Sequence, residues 1–362
     1  MTRAVAVELF RIRLPLRSPF RTARSTTTHK DALLVRVVTS DGEGWGEVGA
    51  DPSPSYAPDT LDTARLILRD ELVPRVLAGA GLDDVRGHHP ARAAITTALL
   101  DARLRAEGTS LAAYLGATSR YVSAGVAIGR LGDRDALVAD AAAYAAQGYR
   151  SLKVKIAPGA DVEEIGAVRR ELGAEVTLQV DANGSYSLAD ADRLAALDDL
   201  GVACLEQPLA PDALLDHAAL ATRLRTPIGL DESIVSANAA HDAVAVGACA
   251  VVSIKSALVG GVDAARRTHG VCVAANVAAR AGGMLETGVG RAVLVALAAL
   301  PGFTVPGDCS ASDRYFDEDV TEPFELEEGR IRVPAGPGIG VTPRADVLGR
   351  CTIARERWRA GR

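Results

Sequence analysis

A long alternation of short β-branched runs with alanine-rich helical runs, from about residue 122 to residue 308, is the feature that most constrains the fold. Strands that alternate with helices of this length are typical of parallel βαβ units. Eight such runs in succession predict a closed α/β barrel of the TIM type rather than an open sheet. The predicted strands are residues 122–128, 151–156, 176–180, 203–205, 227–230, 250–254, 277–279 and 303–305.

The segments that flank this alternation have a different pattern. The N-terminal segment changes from alternating strands to amphipathic helices, which indicates an α+β unit. After Asp308 the alternation stops, and residues 321–333 predict a hairpin with Glu328-Gly329 at its turn, followed by a polar helical tail. Because this tail has little apolar surface of its own, we expect it to fold back on the N-terminal unit. The predicted domains are residues 1–118 together with 310–362, and residues 119–309.

Composition and charge exclude several classes of protein. The 362-residue chain has a formal net charge of −6, and its 40 lysine and arginine residues are scattered, so we expect no nucleic-acid or anionic-membrane partner. Charged residues interrupt the first apolar stretch, unlike a signal peptide, and no stretch reaches the roughly 20 apolar residues of a membrane span. We therefore expect a cytoplasmic protein. Five dispersed cysteines without a C-x-x-C pair predict reduced packing residues.

A ladder of charged residues directly follows the predicted strands. Lys155, Asp181, Glu206, Asp231 and Lys255 follow five successive strands, at spacings of 26, 25, 25 and 24 residues. One βα unit has about this length, so each charge occupies the same place in consecutive units. Because the C-terminal ends of barrel strands meet on one face, we expect these five side chains to converge there.

Three converging carboxylates predict a metal site. Like charges within a few Å of each other stay ionised only when a cation neutralises them. Mg²⁺, which prefers carboxylate and water oxygens, meets this requirement. We expect Asp181, Glu206 and Asp231 to bind one such ion per subunit, with Asn183 and Glu232 supporting the ligands.

The lysines at this face indicate chemistry at a carbon next to a carboxylate. Such carbon acids are very weak, so a base is effective only when the resulting anion is stabilised by a metal and a nearby cation. Lys155 is the predicted base, because a second cation and the dication beside it favour its neutral form. Lys255, from the opposite side, is a second acid/base or a cationic stabiliser, and Lys153 is expected to hold the substrate carboxylate. None of the six histidines ends a predicted strand.

These residues and several longer motifs resemble the mandelate racemase and muconate lactonizing group of the enolase superfamily, in its Lys-x-Lys branch. Within that branch the sequence is most similar to the o-succinylbenzoate synthase and N-succinylamino acid racemase family, over nearly the whole chain. The motifs that carry the resemblance are Ser18-Pro19-Phe20-Arg21-Thr22, Gly44-Trp45-Gly46-Glu47, Leu230-Asp231-Glu232-Ser233-Ile234, the glycine-rich residues 282–288 and residues 306–314.

The resemblance implies a modified TIM barrel, (β/α)7β, with an N-terminal α+β capping domain that the C-terminal segment completes. Loops at residues 19–28 and 51–57 would close over the barrel mouth and select the substrate. It also implies a homo-oligomer that acts on a small-molecule carboxylate with Mg²⁺ or Mn²⁺, and Lys155 and Lys255 as the acid/base pair. The implied substrate-binding residues are Phe20, Gly283, Met284, Glu286 and Thr287.

One departure from the family pattern bears on the reaction. The family usually has Pro-Gly-Arg after the lysine of the sixth strand, whereas Ser256-Ala257-Leu258 follow Lys255 here. A racemase needs Lys255 to move protons, while dehydration needs only one base, so the departure favours o-succinylbenzoate synthesis over racemisation. Muconate cycloisomerase and dipeptide epimerase remain alternatives, although no Asp-x-Asp follows the eighth predicted strand. A metal-independent Schiff-base aldolase, which would use a buried lysine, is the alternative from a different class.

Overall fold

A computed structural model describes residues 3–21, 26–130, 132–159 and 161–361. The strands are β1 (Ala4–Arg21), β2 (Thr26–Thr39), β3 (Glu43–Glu47), β4 (Tyr121–Ser123), β5 (Gly125–Ile128), β6 (Ser151–Lys155), β7 (Thr177–Asp181), β8 (Cys204–Glu206), β9 (Ile228–Leu230), β10 (Val251–Ile254), β11 (Ala278–Ala281), β12 (Leu326–Glu327), β13 (Arg330–Arg332) and β14 (Thr352–Arg359). The helices are α1 (Leu61–Ile67), α2 (Val73–Ala78), α3 (His89–Ala106), α4 (Leu111–Leu115), α5 (Arg134–Gln147), α6 (Asp161–Leu172), α7 (Ala191–Ala195), α8 (Leu214–Ala221), α9 (Ala237–Ala245), α10 (Ser256–Val259), α11 (Val262–Ala275), α12 (Gly288–Ala298) and α13 (Ala345–Cys351). A π-helical turn at Leu68–Leu72 joins α1 to α2.

Seven parallel strands form the barrel sheet, in the order β11-β10-β9-β8-β7-β6-β5. Their side chains are buried on both faces, which explains why these strands appear in the sequence as short continuous apolar runs. Helices connect consecutive strands. For example, α5 begins after Asp133, whose side chain accepts the backbone N–H of Asp135, and ends at Gly148, which has a positive φ of 108°. The predicted α/β barrel fold is therefore confirmed.

The barrel differs from the prediction at its two ends. The predicted eighth strand at residues 303–305 is wrong, because only Phe303 forms a bridge, to Ala279. Proline and glycine on both sides of this segment remove donors and favour turns. The segment still joins the edges of the sheet: the Asp308 N–H donates to Ala281 in β11 (3.0 Å), and the Gly125 N–H in β5 donates to the Cys309 carbonyl (3.3 Å). The predicted first strand divides into β4, which pairs with β13, and β5.

The N-terminal sheet has the order β14-β1-β2-β3 and is antiparallel. The tail predicted as helical is helical only through α13, because Thr352–Arg359 forms strand β14, which pairs with β1 and places Trp358 opposite Val7. The C-terminal segment thus adds an edge strand to the N-terminal sheet. The predicted hairpin is confirmed by the pairing of β12 with β13 around Glu328 and Gly329, which both have positive φ. The domain boundaries near residues 118 and 309 stay a prediction.

Helix α3 packs so closely on β3 that two glycines are required. A β carbon at Gly46 would lie 2.0 Å from the carbonyl oxygen of Ala94, and one at Gly44 would lie 2.1 Å from that of Ala98. We predict that Gly46→Ala lowers the free energy of unfolding by about 3 kcal/mol, because the helix must move away from the strand. Urea unfolding measures this change. Gly81→Ala is the control, since nothing lies within 4 Å of its β carbon, and equal stabilities of the two variants would contradict the prediction.

Within the described ranges of the chain, no helix combines the length and the apolar character that crossing a membrane requires.

Candidate active site

The charged ladder lies at the C-terminal ends of neighbouring barrel strands. Lys155, Asp181 and Glu206 are the last residues of β6, β7 and β8, and the strand register places them side by side. Asp231 directly follows β9, and Lys255 directly follows β10. The structure therefore brings all five residues to one face of the barrel, in chain order.

Each lysine at this face contacts a carboxylate. The Nζ atom of Lys155 lies 2.6 Å from Asp181 Oδ2, and that of Lys255 lies 2.6 Å from Asp231 Oδ2. Lys153 Nζ lies 2.8 Å from Glu206 Oε2. Because the carboxylates are buried, these contacts are screened little by solvent. Each ammonium group at the barrel mouth is thus paired with a carboxylate.

Lys153 is held in its charged form. Burial and the guanidinium of Arg280 lower the pKa of Lys153, but the carboxylates of Asp308, Glu206 and Asp181 outweigh them and raise it above its ordinary value. Lys153 contacts all three carboxylates, at 3.0, 2.8 and 3.6 Å. This side chain is suited to electrostatic stabilisation rather than to proton abstraction.

Asn183 and Glu232 connect the ladder residues. The side-chain oxygen of Asn183 accepts a hydrogen bond from Lys155 Nζ (2.8 Å), and its amide donates to Glu232 Oε1 (2.9 Å). Burial, together with the charges of Asp231 and Asp181, raises the pKa of Glu232 to about 8. Asn183 thereby links Lys155 to a second buried carboxyl group.

Sequence reasoning missed two charged residues below the ladder. Arg280, in β11, is 1% exposed and pairs with Asp308 Oδ1 at 2.6 Å, while its other nitrogen lies 3.4 Å from Glu206 Oε2. Burial raises the pKa of Asp308, but Arg280 and Lys153 outweigh it and hold the pKa below its usual range. An arginine inside an otherwise apolar strand was the available signal for this pair.

Sequence reasoning also did not single out Tyr56. It lies in the N-terminal loop at residues 51–57, and its hydroxyl donates to Asp231 Oδ2 (2.8 Å) and accepts from Lys255 Nζ. The Lys255 ammonium also lies 4.5 Å from the centre of the Tyr56 ring, within the range of a cation–π interaction. The N-terminal unit thus contacts a ladder lysine directly.

A cavity of about 490 Å³ opens above the ladder, between the barrel and the N-terminal strands. Lys155, Asn183 and Lys255 line it from the barrel. The predicted substrate-binding residues Phe20, Gly283 and Met284 line it as well, whereas Glu286 lines a smaller adjoining cavity of about 50 Å³. Residues 22–25 of the predicted loop at 19–28 lie outside the described residues.

Thr287, the last of the predicted substrate-binding residues, does not lie at the cavity wall. It is fully buried, it caps helix α12, and its hydroxyl donates to Glu47 Oε2 at 2.7 Å. Its backbone N–H donates to Glu47 Oε1 at 3.1 Å. Thr287 therefore joins the glycine-rich loop to the N-terminal sheet and does not line either cavity.

The donor set at the ladder fits a hard dication. No group of three or more acidic, histidine or cysteine side chains in the described residues converges closely enough to hold a metal, and the lysines contact the carboxylates instead. Oε1 of Glu206 and Oδ1 of Asp231 are nevertheless buried without a hydrogen bond. Burial and the charges of Asp181 and Asp231 raise the pKa of Glu206 against Arg280 and Lys153. A cation beside these oxygens would offset the cost of burying them unpaired, and it would favour the charged form of Glu206.

The comparisons with known proteins agree with this geometry. Residues 4–116 match the N-terminal domain of mandelate racemase / muconate lactonizing enzymes, and residues 136–347 match the enolase C-terminal domain-like family. The chain therefore belongs to the mandelate racemase/muconate lactonizing enzyme family of the enolase superfamily.

Individual relatives narrow the class further. An N-succinylamino acid racemase from Amycolatopsis sp is 47% identical over 96% of this chain and 97% of its own length. The o-succinylbenzoate synthase of Bacillus subtilis (strain 168) is 38% identical over 94% and 95%. A solved enolase-superfamily structure from Listeria innocua superposes over 100% of both chains with a TM-score of 0.95 and 35% identity. The protein is accordingly an enzyme of the isomerase or lyase type, from a superfamily whose sites use Mg²⁺ with a lysine or histidine base.

Proposed function

We propose that this enzyme removes the α-proton of a carboxylate substrate with the help of Mg²⁺, and that its reaction is the dehydration that forms o-succinylbenzoate. The observation that carries the proposal is the placement of Lys155 and Lys255, which line one cavity from different barrel strands. A substrate in this cavity has an amine available on either side of its α-carbon. The names of the relatives described above support the succinyl-bearing substrate.

Asp181, Glu206 and Asp231 would hold the metal ion, with Mn²⁺ as the alternative to Mg²⁺. When bound, the dication supplies positive charge against the negative charge that develops as the α-proton leaves. Lys153 supplies a second positive charge, because its carboxylate contacts keep it protonated. These charges make a weak carbon acid accessible to an amine base.

Lys155 acts as the base in this proposal. Its Nζ atom is held by Asp181 and by Asn183, which fix the direction of its lone pair once the proton is lost. The α-proton of the substrate moves to Lys155 Nζ, and the substrate becomes an enediolate. The hydroxyl group on the neighbouring carbon then leaves as water, with the proton that Lys155 took up, and the lysine becomes neutral again. The ammonium group of Lys255, which Tyr56 and Asp231 orient, stabilises the negative charge from the other side until the C–O bond breaks.

Racemisation of N-succinylamino acids is the second candidate. It requires Lys255 to deliver a proton to the face opposite Lys155, and the position of Lys255 on the cavity wall favours it. Leu258 occupies the position where the family usually has arginine and is buried, so no guanidinium at that position acts on Lys255. We therefore propose dehydration as the main activity and racemisation as the lesser one. A homo-oligomeric state and a cytoplasmic location stay predictions.

A substrate panel in deuterated water tests the proposed function. We predict that the enzyme with Mg²⁺ converts the cyclohexadiene precursor to o-succinylbenzoate, and that it exchanges the α-proton of one enantiomer of an N-succinylamino acid faster than that of the other. Proton NMR measures exchange, and ultraviolet absorbance follows the aromatic product. Equal exchange of both enantiomers without dehydration would identify a racemase instead. Turnover of only muconate or a dipeptide would contradict both candidates.

A further inference from the structure

The chain contains only four lysines, at positions 30, 153, 155 and 255, against 36 arginines. Nine of every ten basic side chains in this sequence are therefore arginine. Three of the lysines belong to the proposed catalytic site, and the fourth, Lys30, lines the same cavity as Lys155 and Lys255. The compact ammonium group, which differs from guanidinium in size and geometry, is thus found only around the two connected cavities.

Lys30 is buried without an acidic partner. It lies in β2, it is 5% exposed, and its Nζ atom donates to the backbone carbonyl of Met284 at 2.9 Å. Each of the other three lysines forms an ion pair, whereas no carboxylate in the described part of the chain lies within 4 Å of Lys30 Nζ. An ammonium group has three donors, so two N–H groups of Lys30 remain for another partner.

Two other charged groups near Lys30, Arg13 and Glu47, are already engaged. Arg13 lines the same cavity but pairs with Asp31 through two hydrogen bonds of 2.6 and 2.9 Å. Glu47 interacts with Lys30 only at longer range, and its carboxylate accepts hydrogen bonds from Thr287 and Gly290. A buried ammonium with one neutral acceptor is costly, and an anionic ligand would offset this cost.

We infer that Lys30 binds a second carboxylate, at the end of the substrate that is remote from the α-carbon. This inference rests on the proposed function, because it assumes that the first carboxylate lies at the ladder. Lys30 reaches the cavity from the N-terminal sheet, whereas the ladder reaches it from the barrel, so one dicarboxylate contacts both domains. The succinyl-bearing substrates of the proposed function have such a carboxylate, and Lys30 is the residue that selects it.

Binding of two matched ligands tests this role directly. N-succinylglycine and N-butyrylglycine have acyl arms of equal length, and only the first ends in a carboxylate. For the full chain with Mg²⁺, we expect calorimetry to show tighter binding of N-succinylglycine. Lys30→Met should weaken that binding by about 10-fold to 100-fold, the size of a charged hydrogen bond, and change binding of N-butyrylglycine by less than about threefold.

Two controls separate binding from structure. Lys30→Arg keeps the charge, so it should keep the preference for N-succinylglycine, and the thermal unfolding temperature shows whether either variant disturbs the loop at Met284. If Lys30→Met weakens the binding of both ligands equally, Lys30 only supports this loop, and the inference is overturned. A wild-type enzyme that binds both ligands equally, or neither, would overturn it as well.

The proposed function can fail independently of this inference. Exchange of the α-hydrogens of N-succinylglycine in deuterated water reports proton abstraction, while the ratio of the two affinities reports Lys30. Wild-type binding with a preference for the succinyl ligand but without exchange would reject the proposed function and still support Lys30. Exchange together with equal binding of the two ligands would support the proposed function and reject the role of Lys30.

Discussion

Lys155→Ala should lower the rate of α-proton exchange by roughly 100-fold to 10,000-fold, which is the contribution of a positioned general base. Lys155 is the residue that combines a cavity-facing position with fixed hydrogen bonds to Asp181 and Asn183. The variant removes the proton acceptor but keeps all three predicted metal ligands. Exchange at the substrate α-carbon, measured by proton NMR in deuterated water, gives the rate.

Arg225→Ala is the matched control for this experiment. Arg225 precedes β9, at the opposite end of the strand from Asp231, and pairs with Asp199 on the surface. Its loss should leave exchange near the wild-type rate. In Lys155→Ala the Mg²⁺ affinity should fall by no more than about 100-fold, because Lys155 contacts a predicted ligand without being one. Persistent exchange in a variant that binds metal normally would remove Lys155 as the base.

The two lysines of β6 illustrate how neighbouring residues acquire different roles. Lys153 and Lys155 are two residues apart in one strand, so their side chains emerge on the same face. Lys153 lies deeper, where Glu206, Asp308 and Asp181 surround it and raise its pKa. Lys155 lies at the strand end, where it lines the larger cavity. Depth in the barrel therefore separates a permanent cation from a candidate base.

The ladder was predictable from sequence because its signal is local and periodic. Each of Lys155, Asp181 and Glu206 ends a short apolar run, and parallel strands at a constant spacing place their ends side by side. The barrel fold follows from the same alternation. No pairing between distant segments had to be known for either prediction.

Residues that depend on distant contacts were not predictable in this way. Tyr56 lies in a loop without any periodic pattern, and it contacts Lys255, which is 199 residues away in sequence. Asp308 follows the segment that the sequence predicts as an eighth strand, and its partner Arg280 lies in strand β11. Lys30 carried no motif. Only the folded chain shows that Tyr56 and Lys30 border the larger cavity and that Asp308 borders the smaller one.

The C-terminal strand shows the same limit for secondary structure. Residues 352–359 are mostly polar and mostly exposed, without a regular alternation, so a polar helix and an edge strand were both compatible with the pattern. The pairing with β1 decides between them. That pairing joins residues at opposite ends of the chain, such as Val7 and Trp358, and no local window of sequence contains both.

Glu206→Gln should weaken Mg²⁺ binding by at least about 100-fold, because loss even of a residue that supports a metal ligand costs 10-fold to 100-fold. Glutamine keeps the shape of the side chain and removes its charge. Lys153 and Arg280 lose one partner, but both keep their contacts to Asp308, so the barrel should remain folded. Calorimetric titration with Mg²⁺ measures the affinity directly.

Thermal unfolding gives a second measurement that does not depend on activity. Mg²⁺ at 100 times its dissociation constant should stabilise the wild-type enzyme by about 2.7 kcal/mol, and the same concentration should stabilise Glu206→Gln by well under half as much. Glu327→Gln is the control, since Glu327 is a surface carboxylate paired with Arg332 and should leave the Mg²⁺ effect unchanged. An unchanged Mg²⁺ titration in Glu206→Gln would end its role as a ligand. Because Glu206 is the central carboxylate of the ladder, between Asp181 and Asp231, that result would also remove the reason to expect a metal ion at this end of the barrel.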